Sequence, residues 1–246
     1  MAERLLIIAD QHLGSRKDDI EIFKTFLENC DPENDKLIFL GDFFQVWSGC
    51  PKHWSENINA IMHSLQHFVD NGGESSLLVG NRDLLMPEVK KGQNSKLPFN
   101  EIIHDVLTFD WHGHKVLCHH GDLVNQQDKQ YLRWRGFIRN CCIKSFLSIL
   151  PAFIVRPLLL SGEAKMKTSN VRYKITFPKG EWIRFIDSKN NIGADYCFVG
   201  HFHPPEIIHD KSKTLNAYVV PDWMNDRSYL EIDKDMTIKH LHFEVD

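Results

Sequence analysis

None of the six cysteines forms a Cys-x-x-Cys pair, so the chain carries neither a thiolate zinc motif nor a dithiol redox motif. Cys118 and Cys197 fall inside apolar strand-type runs, as buried free thiols of a reducing compartment do. The first residues, Met-Ala-Glu-Arg followed at once by a strand, lack the apolar core and cleavage site of a secretion signal, so the expected location is cytoplasmic. No apolar run is long enough to span a bilayer. The longest, Phe146 to Leu160, is broken by Pro151 and Arg156, yet it could lie on a membrane surface. Excess positive charge is missing too: the net charge is -4, and no nucleic acid is expected as a partner. With no internal repeat, low-complexity stretch or interdomain linker, residues 1–246 read as one α/β domain.

Two things stand out against these absences. One is histidine, with 14 residues. The other is a repeated local pattern in which an apolar strand-type run ends in chemistry-bearing residues. Leu5-Leu-Ile-Ile-Ala runs into Asp10-Gln-His12, Leu37-Ile-Phe-Leu-Gly into Asp42, and Leu77-Leu-Val-Gly into Asn81-Arg82-Asp83. Val116-Leu-Cys runs into His119-His120-Gly-Asp122, and Tyr196-Cys-Phe-Val-Gly into His201-Phe-His203. Open α/β sheets place their chemistry at the carboxyl ends of strands. The expectation is that five strands deliver these groups to one edge of a sheet, with Asp42 at the centre of a two-metal site. Asp, Asn and His donors without thiolate suit Mn²⁺, with Fe²⁺ or Zn²⁺ as alternatives.

Between the strands, apolar spacing predicts helices over about 18–30 and 55–70, and Asn71-Gly72-Gly73 stops the second. His112-Gly113-His114 sits in a predicted hairpin from Phe109 to His119. Residues 128–150 and 151–172 read as two helices, the first basic on one side through Arg133, Arg135, Arg139 and Lys144. That basic face either attracts anionic lipid and substrate phosphate or is simply solvated. The helical insertion, about 125–185, is placed to cap the site. Adjacent strand residues point to opposite faces, so His119 should face away from His120. Trp47 and Trp54 either stack on a base or pack.

Asp-x-His, Gly-Asp, Gly-Asn-x-Asp, His-Gly-Asp and Gly-His-x-His, in this order, resemble the five blocks of the calcineurin-like metallophosphoesterases. The resemblance implies a β-sandwich of two sheets flanked by helices, here with the helical cap. It implies that Asp10, His12, Asp42 and His203 bind one divalent metal and that Asp42, Asn81, His120 and His201 bind a second, with Asp42 bridging. Two such ions about 3.5–4 Å apart deprotonate a shared water, which attacks phosphorus as hydroxide in an in-line displacement. Asp83 and Asp122 would orient neighbouring ligands.

Position 82 narrows the reaction. Many relatives carry His there, which can protonate an alkoxide; Arg82 cannot act as an acid but can clamp a phosphate bidentately. A phosphate leaving group, with a second pKa of about 6, needs no proton, so a pyrophosphate suits this site better than an alkyl ester. Gly80-Asn-Arg-Asp83, Gly41-Asp-Phe-Phe-Gln-Val-Trp47 and His120-Gly-Asp-(x5)-Asp128-x-x-Tyr131-x-x-x-Arg135 resemble the UDP-2,3-diacylglucosamine hydrolase branch, which acts in bacterial lipid A synthesis and releases UMP and a diacylglucosamine 1-phosphate. That resemblance implies a nucleotide-linked glycolipid substrate held by Arg82, Asp128 and Tyr131. It also implies an apolar chamber in the cap and peripheral attachment to the cytoplasmic face of the inner membrane.

This chain departs from the branch at Gln45, where Glu is usual, and in the loop Ser48-Gly-Cys-Pro-Lys-His53, which is usually acidic. Two rivals therefore stand beside the lipid reading. One is a phosphohydrolase acting on another nucleotide diphosphate or phosphodiester. The other is a scaffold that keeps the fold without turnover. Oligomeric state cannot be read from the chain.

Overall fold

The computed structural model of the chain describes residues 2–14, 16–45, 47–124, 129–158, 161, 178–189, 193–202, 207–209 and 215–244. In chain order its strands are β1 (Arg4–Ile8), β2 (Asp35–Phe39), β3 (Trp47–Ser48), β4 (Glu74–Leu78), β5 (Asp83–Leu84), β6 (Glu101–Ile103), β7 (Leu107–Trp111), β8 (His114–His119), β9 (Tyr196–Val199), β10 (Ile207–His209), β11 (Asn216–Val219), β12 (Ser228–Asp233) and β13 (Ile238–His242). The helices are α1 (Asp19–Glu28), α2 (Glu56–Asp70), α3 (Lys129–Ile138), α4 (Cys141–Ile149), α5 (Lys179–Lys189) and α6 (Trp223–Asp226). A further helical stretch covers 152–158.

Two sheets carry the fold. One has the order β13-β12-β1-β2-β4-β6, with β1, β2, β4 and β6 parallel; the other has the order β10-β11-β9-β8-β7. Alternation along the strands explains how they stack. Leu5 and Ile7 of β1 and Ile38 of β2 face Val116, Cys118 and Phe198 of the second sheet, forming the inner core. Leu6, Ile8, Leu37 and Phe39 point the other way, onto α1 and α2. On the far side, Leu117, Cys197 and Val199 meet Trp182 and Phe185 of α5. The result is a four-layer helix–sheet–sheet–helix sandwich. The strand ends with functional residues therefore lie on the edges of two sheets, which corrects the single-edge expectation: β1, β2 and β4 belong to the first sheet, β8 and β9 to the second. Apolar patterning reveals that a strand exists but not which strand it pairs with.

Helix α1 buries Ile20, Phe23, Phe26 and Leu27, a stripe at helical spacing, and each buried side chain is worth about 1.5–3 kcal/mol. Phe23 has ring contacts with Phe26, Phe39, Phe43 and Trp223 at centroid distances of 5.1–6.2 Å. Ser55 caps α2 by accepting from the Ile58 N–H.

The helix predicted over 128–150 is two helices. Asn140 breaks it: its backbone is extended, and its side chain accepts from the Cys142 N–H to start α4. The basic residues of this region are also used differently from either expectation. Arg135 donates to the Asp122 and Asp105 carboxylates and the His104 carbonyl, Arg139 to the His104 and Val79 carbonyls, and Lys144 to the Met86 carbonyl. Three of the four cations thus fasten α3 and α4 to the core. No helix among the described residues is long and apolar enough to cross a membrane.

Truncating the ring at the meeting point of α1 and the first sheet should be costly. Phe23→Ala is expected to lower unfolding free energy by about 3–5 kcal/mol in chemical denaturation, against about 0.5 kcal/mol or less for exposed Phe137→Ala.

Candidate metal centre

Each proposed ligand among the described residues sits just past the end of a strand, and at four of them the backbone turns sharply. Asp10, His12, Asp42 and His201 all have positive φ, at 52°, 45°, 54° and 71°. Such conformations cost of order 1–3 kcal/mol each for residues with a side chain, and they persist only when the surroundings enforce them. Here the enforcement is backbone pairing: Asp10 N donates to the Gly41 carbonyl at 3.3 Å, His12 N to Asp42 at 2.9 Å and Leu13 N to Phe43 at 3.1 Å. The loops after β1 and β2 therefore run side by side past their strands.

This brings Asp10, Asp42, His120 and His201 together, with one ligand atom of each within 4.8 Å of the others. His12 Nε2 lies 3.8 Å from Asp10 Oδ1 and 3.9 Å from Asp42 Oδ2. His120 Nδ1 donates to the Leu40 carbonyl at 2.6 Å, which directs Nε2 at the Asn81 side-chain oxygen, 3.1 Å away, and at Asp42, 3.6 Å away. Nε2 and an amide oxygen this close need a proton or a cation between them. Asp42 Oδ1 accepts from the Arg82 N–H, while Oδ2 is buried and accepts no hydrogen bond among the described residues. Arg82 Nε is 3.4 Å from that oxygen, and the guanidinium is mostly buried. His203 and Asp128 lie outside the described residues.

Two glycines permit this approach. A Cβ on Gly41 would lie 2.6 Å from Gly80 N and 2.8 Å from His120 Nδ1, and one on Gly80 would lie 2.5 Å from Asp42 N. Asp83 then ties the two loops together. Its carboxylate accepts from the N–H groups of Asp42 (2.8 Å), Phe43 (3.1 Å) and Gly80 (2.8 Å) and from the Trp47 indole (2.5 Å). Its partners are three backbone N–H groups and an indole, not ligand side chains, a role the Gly-Asn-x-Asp pattern does not announce. Asp122 likewise holds the cap: Tyr131, itself buried, donates its hydroxyl to it, and Arg135 donates at 3.1 Å.

Burial drives the electrostatics and is opposed by neighbours. For Asp42 the cost of burial is outweighed by His120, His12, Arg82 and His201, which keep it ionised well below the usual carboxylate range. Burial pushes Asp83 up to about 6, helped by the Asp42 charge and opposed by the Trp47 hydrogen bond. Burial depresses His120, but Asp42, Asp10 and Asp122 overcome it and raise its affinity for positive charge.

Other expected residues separate cleanly. His119 faces away from the centre, stacking on Trp182 at 5.3 Å and meeting Phe185 of the same helix α5 tilted at 4.4 Å. Trp47 is buried among Phe43, Phe44 and Trp54, so it packs. Sequence reasoning passed over Gln11, whose buried amide has no hydrogen-bond partner among the described residues. Its place between Asp10 and His12 was the available signal.

The sequence profile of the calcineurin-like phosphoesterases matches residues 3–205, a span that holds every one of these strand ends. The chain belongs to this family. Among its relatives within the calcineurin-like phosphoesterases, the UDP-2,3-diacylglucosamine hydrolase of Psychromonas ingrahamii is 26% identical over 250 residues, covering 98% of this chain and 99% of that one. Proteins of the same name from Shewanella pealeana and Xanthomonas axonopodis are 28% identical over 238 residues and 27% identical over 249 residues, covering 94% of this chain and 95% of theirs in each case. Family membership makes the chain a hydrolase and implies divalent metal ions. The residues present fit such ions: two carboxylates, an amide oxygen and imidazoles converge, and the orphaned Asp42 oxygen lies in their midst.

If Asp83 sets the ligand loops, its amide isostere should disturb them, because an NH₂ group would face backbone N–H donors. Asp83→Asn is expected to weaken metal binding about 10–100-fold, measured by metal content and by titration of the stripped protein.

Proposed function

We propose that this phosphoesterase hydrolyses the pyrophosphate bond of UDP-2,3-diacylglucosamine, giving UMP and 2,3-diacylglucosamine 1-phosphate, with two divalent ions, Mn²⁺ first among them. The observation that carries the reading is Arg82 beside Asp42. It supplies a permanent cation and no acid at the heart of the cluster. The names of the relatives, which align nearly end to end, support the same substrate.

Asp10, His12, Asp42, Asn81, His120 and His201, with His203, would hold the ions, and Asp42 would be shared between them. When bound, the ions supply Lewis-acid activation of water and neutralise charge on the phosphoryl oxygens. The protein's own part is to hold that chemistry rigidly. The Leu40 carbonyl fixes the His120 ring and leaves Nε2 for coordination. Arg82 donates through a planar fork to a non-bridging phosphate oxygen and shifts no proton. The leaving phosphate needs none, since its second pKa is about 6.

The substrate's lipid half fits the helices between β8 and β9, which form a cap in this reading. Phe137, Phe146, Ile149, Phe153, Ile154 and Leu158 are large apolar side chains left 44–77% exposed there. We infer that this face meets acyl chains and the surface of a membrane to which the protein binds peripherally. Tyr131 and Asp128 would line the approach to the sugar and phosphates.

The test is divalent-metal-dependent release of UMP from UDP-2,3-diacylglucosamine, beside UDP-N-acetylglucosamine and bis-p-nitrophenyl phosphate. Turnover of the acylated substrate is expected, with removal of metal by chelation or Asp42→Ala abolishing it. Arg82→Ala is expected to cost about 100–1,000-fold in kcat/KM, with Arg82→Lys recovering part of it. Activity confined to the soluble esters would overturn the lipid assignment and leave the metal centre standing; no activity with metal bound would favour the scaffold.

A further inference from the structure

We propose that His53 and Arg156 form a clasp that fixes the corner of the cap against the metal-ligand loops, making them positioning residues for the acylated half of the substrate. The proposal rests on the substrate reading above. The clasp is reciprocal. From the core, buried His53 directs Nε2 at the Leu150 carbonyl, 3.0 Å away. A carbonyl only accepts, so Nε2 carries the proton, and Nδ1, 3.1 Å from the Ser48 hydroxyl, is left to accept from it. From the cap, Arg156 donates back through Nε to the His53 carbonyl at 2.9 Å and through Nη2 to the Trp54 carbonyl. Leu150 caps the C-terminus of α4 with extended backbone, so its carbonyl is one of the groups a helix end leaves without an internal partner.

Its location gives the clasp consequence. At one end is the corner where α4 gives way to the stretch 152–158. Val155, next to Arg156, is fully buried with Leu84, Ile138 and Leu147, while Ile149, Phe153 and Ile154 on the same corner stay exposed. The orientation of this corner therefore decides where the apolar face points. At the other end, Ser48 and Trp47 pair with Leu84 and Asp83 in the β3–β5 ladder, and Asp83 accepts from the Asp42 N–H. The route from the cap corner to Asp42 thus runs Leu150, His53, Ser48 and Trp47, Asp83, each link a hydrogen bond or a ladder pair. Arg135, Arg139 and Lys144 fasten α3 and the start of α4. Among the described residues, the bonds that fasten the Leu150 corner to the core are those of the clasp.

The loop that supplies His53 is the one that departs from the acidic loop of the diacylglucosamine hydrolase branch. This chain has thus put an imidazole where it reaches a cap carbonyl and two backbone carbonyls where they receive a cap arginine.

The experiment uses the full-length, metal-loaded protein with His53→Ala, Arg156→Ala, the double variant, and His53→Gln, whose amide N–H can replace Nε2–H. With UDP-2,3-diacylglucosamine, each alanine variant is expected to raise KM about 10-fold while kcat changes less than about 3-fold. Bis-p-nitrophenyl phosphate turnover and metal content should stay at the wild-type level. His53→Gln should restore most of the KM, and the double variant should be worse than either single one, since Arg156 bonds backbone carbonyls that His53→Ala leaves in place. Equal loss on both substrates, or no loss on either, would overturn the proposal. Hydrogen exchange of α4 amides is the arm that does not depend on substrate: Arg156→Ala should speed it, and unchanged protection sinks the clasp even if the wild type turns over soluble esters alone. A wild type inactive on the lipid but with faster exchange in the variant would instead sink the substrate reading and keep the clasp.

Discussion

The Asp83 carboxylate is the constraint on which the centre depends. It is buried, holds three backbone N–H groups and one indole, and bridges two loops that follow different strands. Without it, nothing would compensate the donors of Asp42, Phe43 and Gly80, which would face the interior unpaired at about 1–3 kcal/mol each. With it, the Gly41 and Gly80 backbones are held closer than any side chain would allow, and Asp42 is presented to His120 from a left-handed backbone conformation. The strain at Asp10, His12, Asp42 and His201 is therefore a result of loops being over-determined from outside. That rigidity suits a site whose ligands must be in place before a cation arrives.

Stiffness also comes from below. Phe23, Phe26, Phe39, Phe43, Phe44, Trp47, Trp54, Phe99, Trp223, Tyr229 and Phe243 form a connected set of rings under the first sheet and its outgoing loops. Mostly tilted and edge-on, these rings give close packing without alignment, and they leave Phe43 and Phe44, the residues just after Asp42, no room to shift. The cap is built by a different principle. Among the described residues its buried cluster is small, and it is joined to the core by arginine, lysine and histidine side chains reaching backbone carbonyls. Directional bonds of this kind set orientation with little apolar area.

Much of this could be read from the chain because strand ends are local. An apolar run that stops at Asp, Asn or His states both the strand and the chemistry, and the order of five such stops narrowed the fold. The rest depends on pairings between distant residues. That β8 and β9 lie in a second sheet cannot be inferred from their composition. Asp83 reaches Asp42 across 41 positions and His53 reaches Leu150 across 97, distances at which no periodicity speaks. Arg135, Arg139 and Lys144 looked like a solvated or ligand-seeking face because sequence shows a side chain's charge and not the carbonyl it will meet. Asn140 was legible and overlooked: a residue that competes with the helix through its own side chain, set before a fresh apolar run, is a start signal.

The electrostatic arrangement follows from the same geometry. The Asp10 and Asp42 carboxylates by themselves repel a pyrophosphate, and Arg82, His12, His120 and His201 oppose that charge. Two divalent ions would reverse that sign, because their charge exceeds that of the two carboxylates, and Arg82 would then add to it. A protein of net charge -4 can in this way attract an anionic substrate at one point without a basic surface. Arg135, Arg139 and Lys144 are spent on core contacts, so these cations do not steer the phosphates. In the proposed reading, the substrate's lipid half and its phosphates meet separate parts of the molecule, and the alignment between them rests on the few side chains that cross from one to the other.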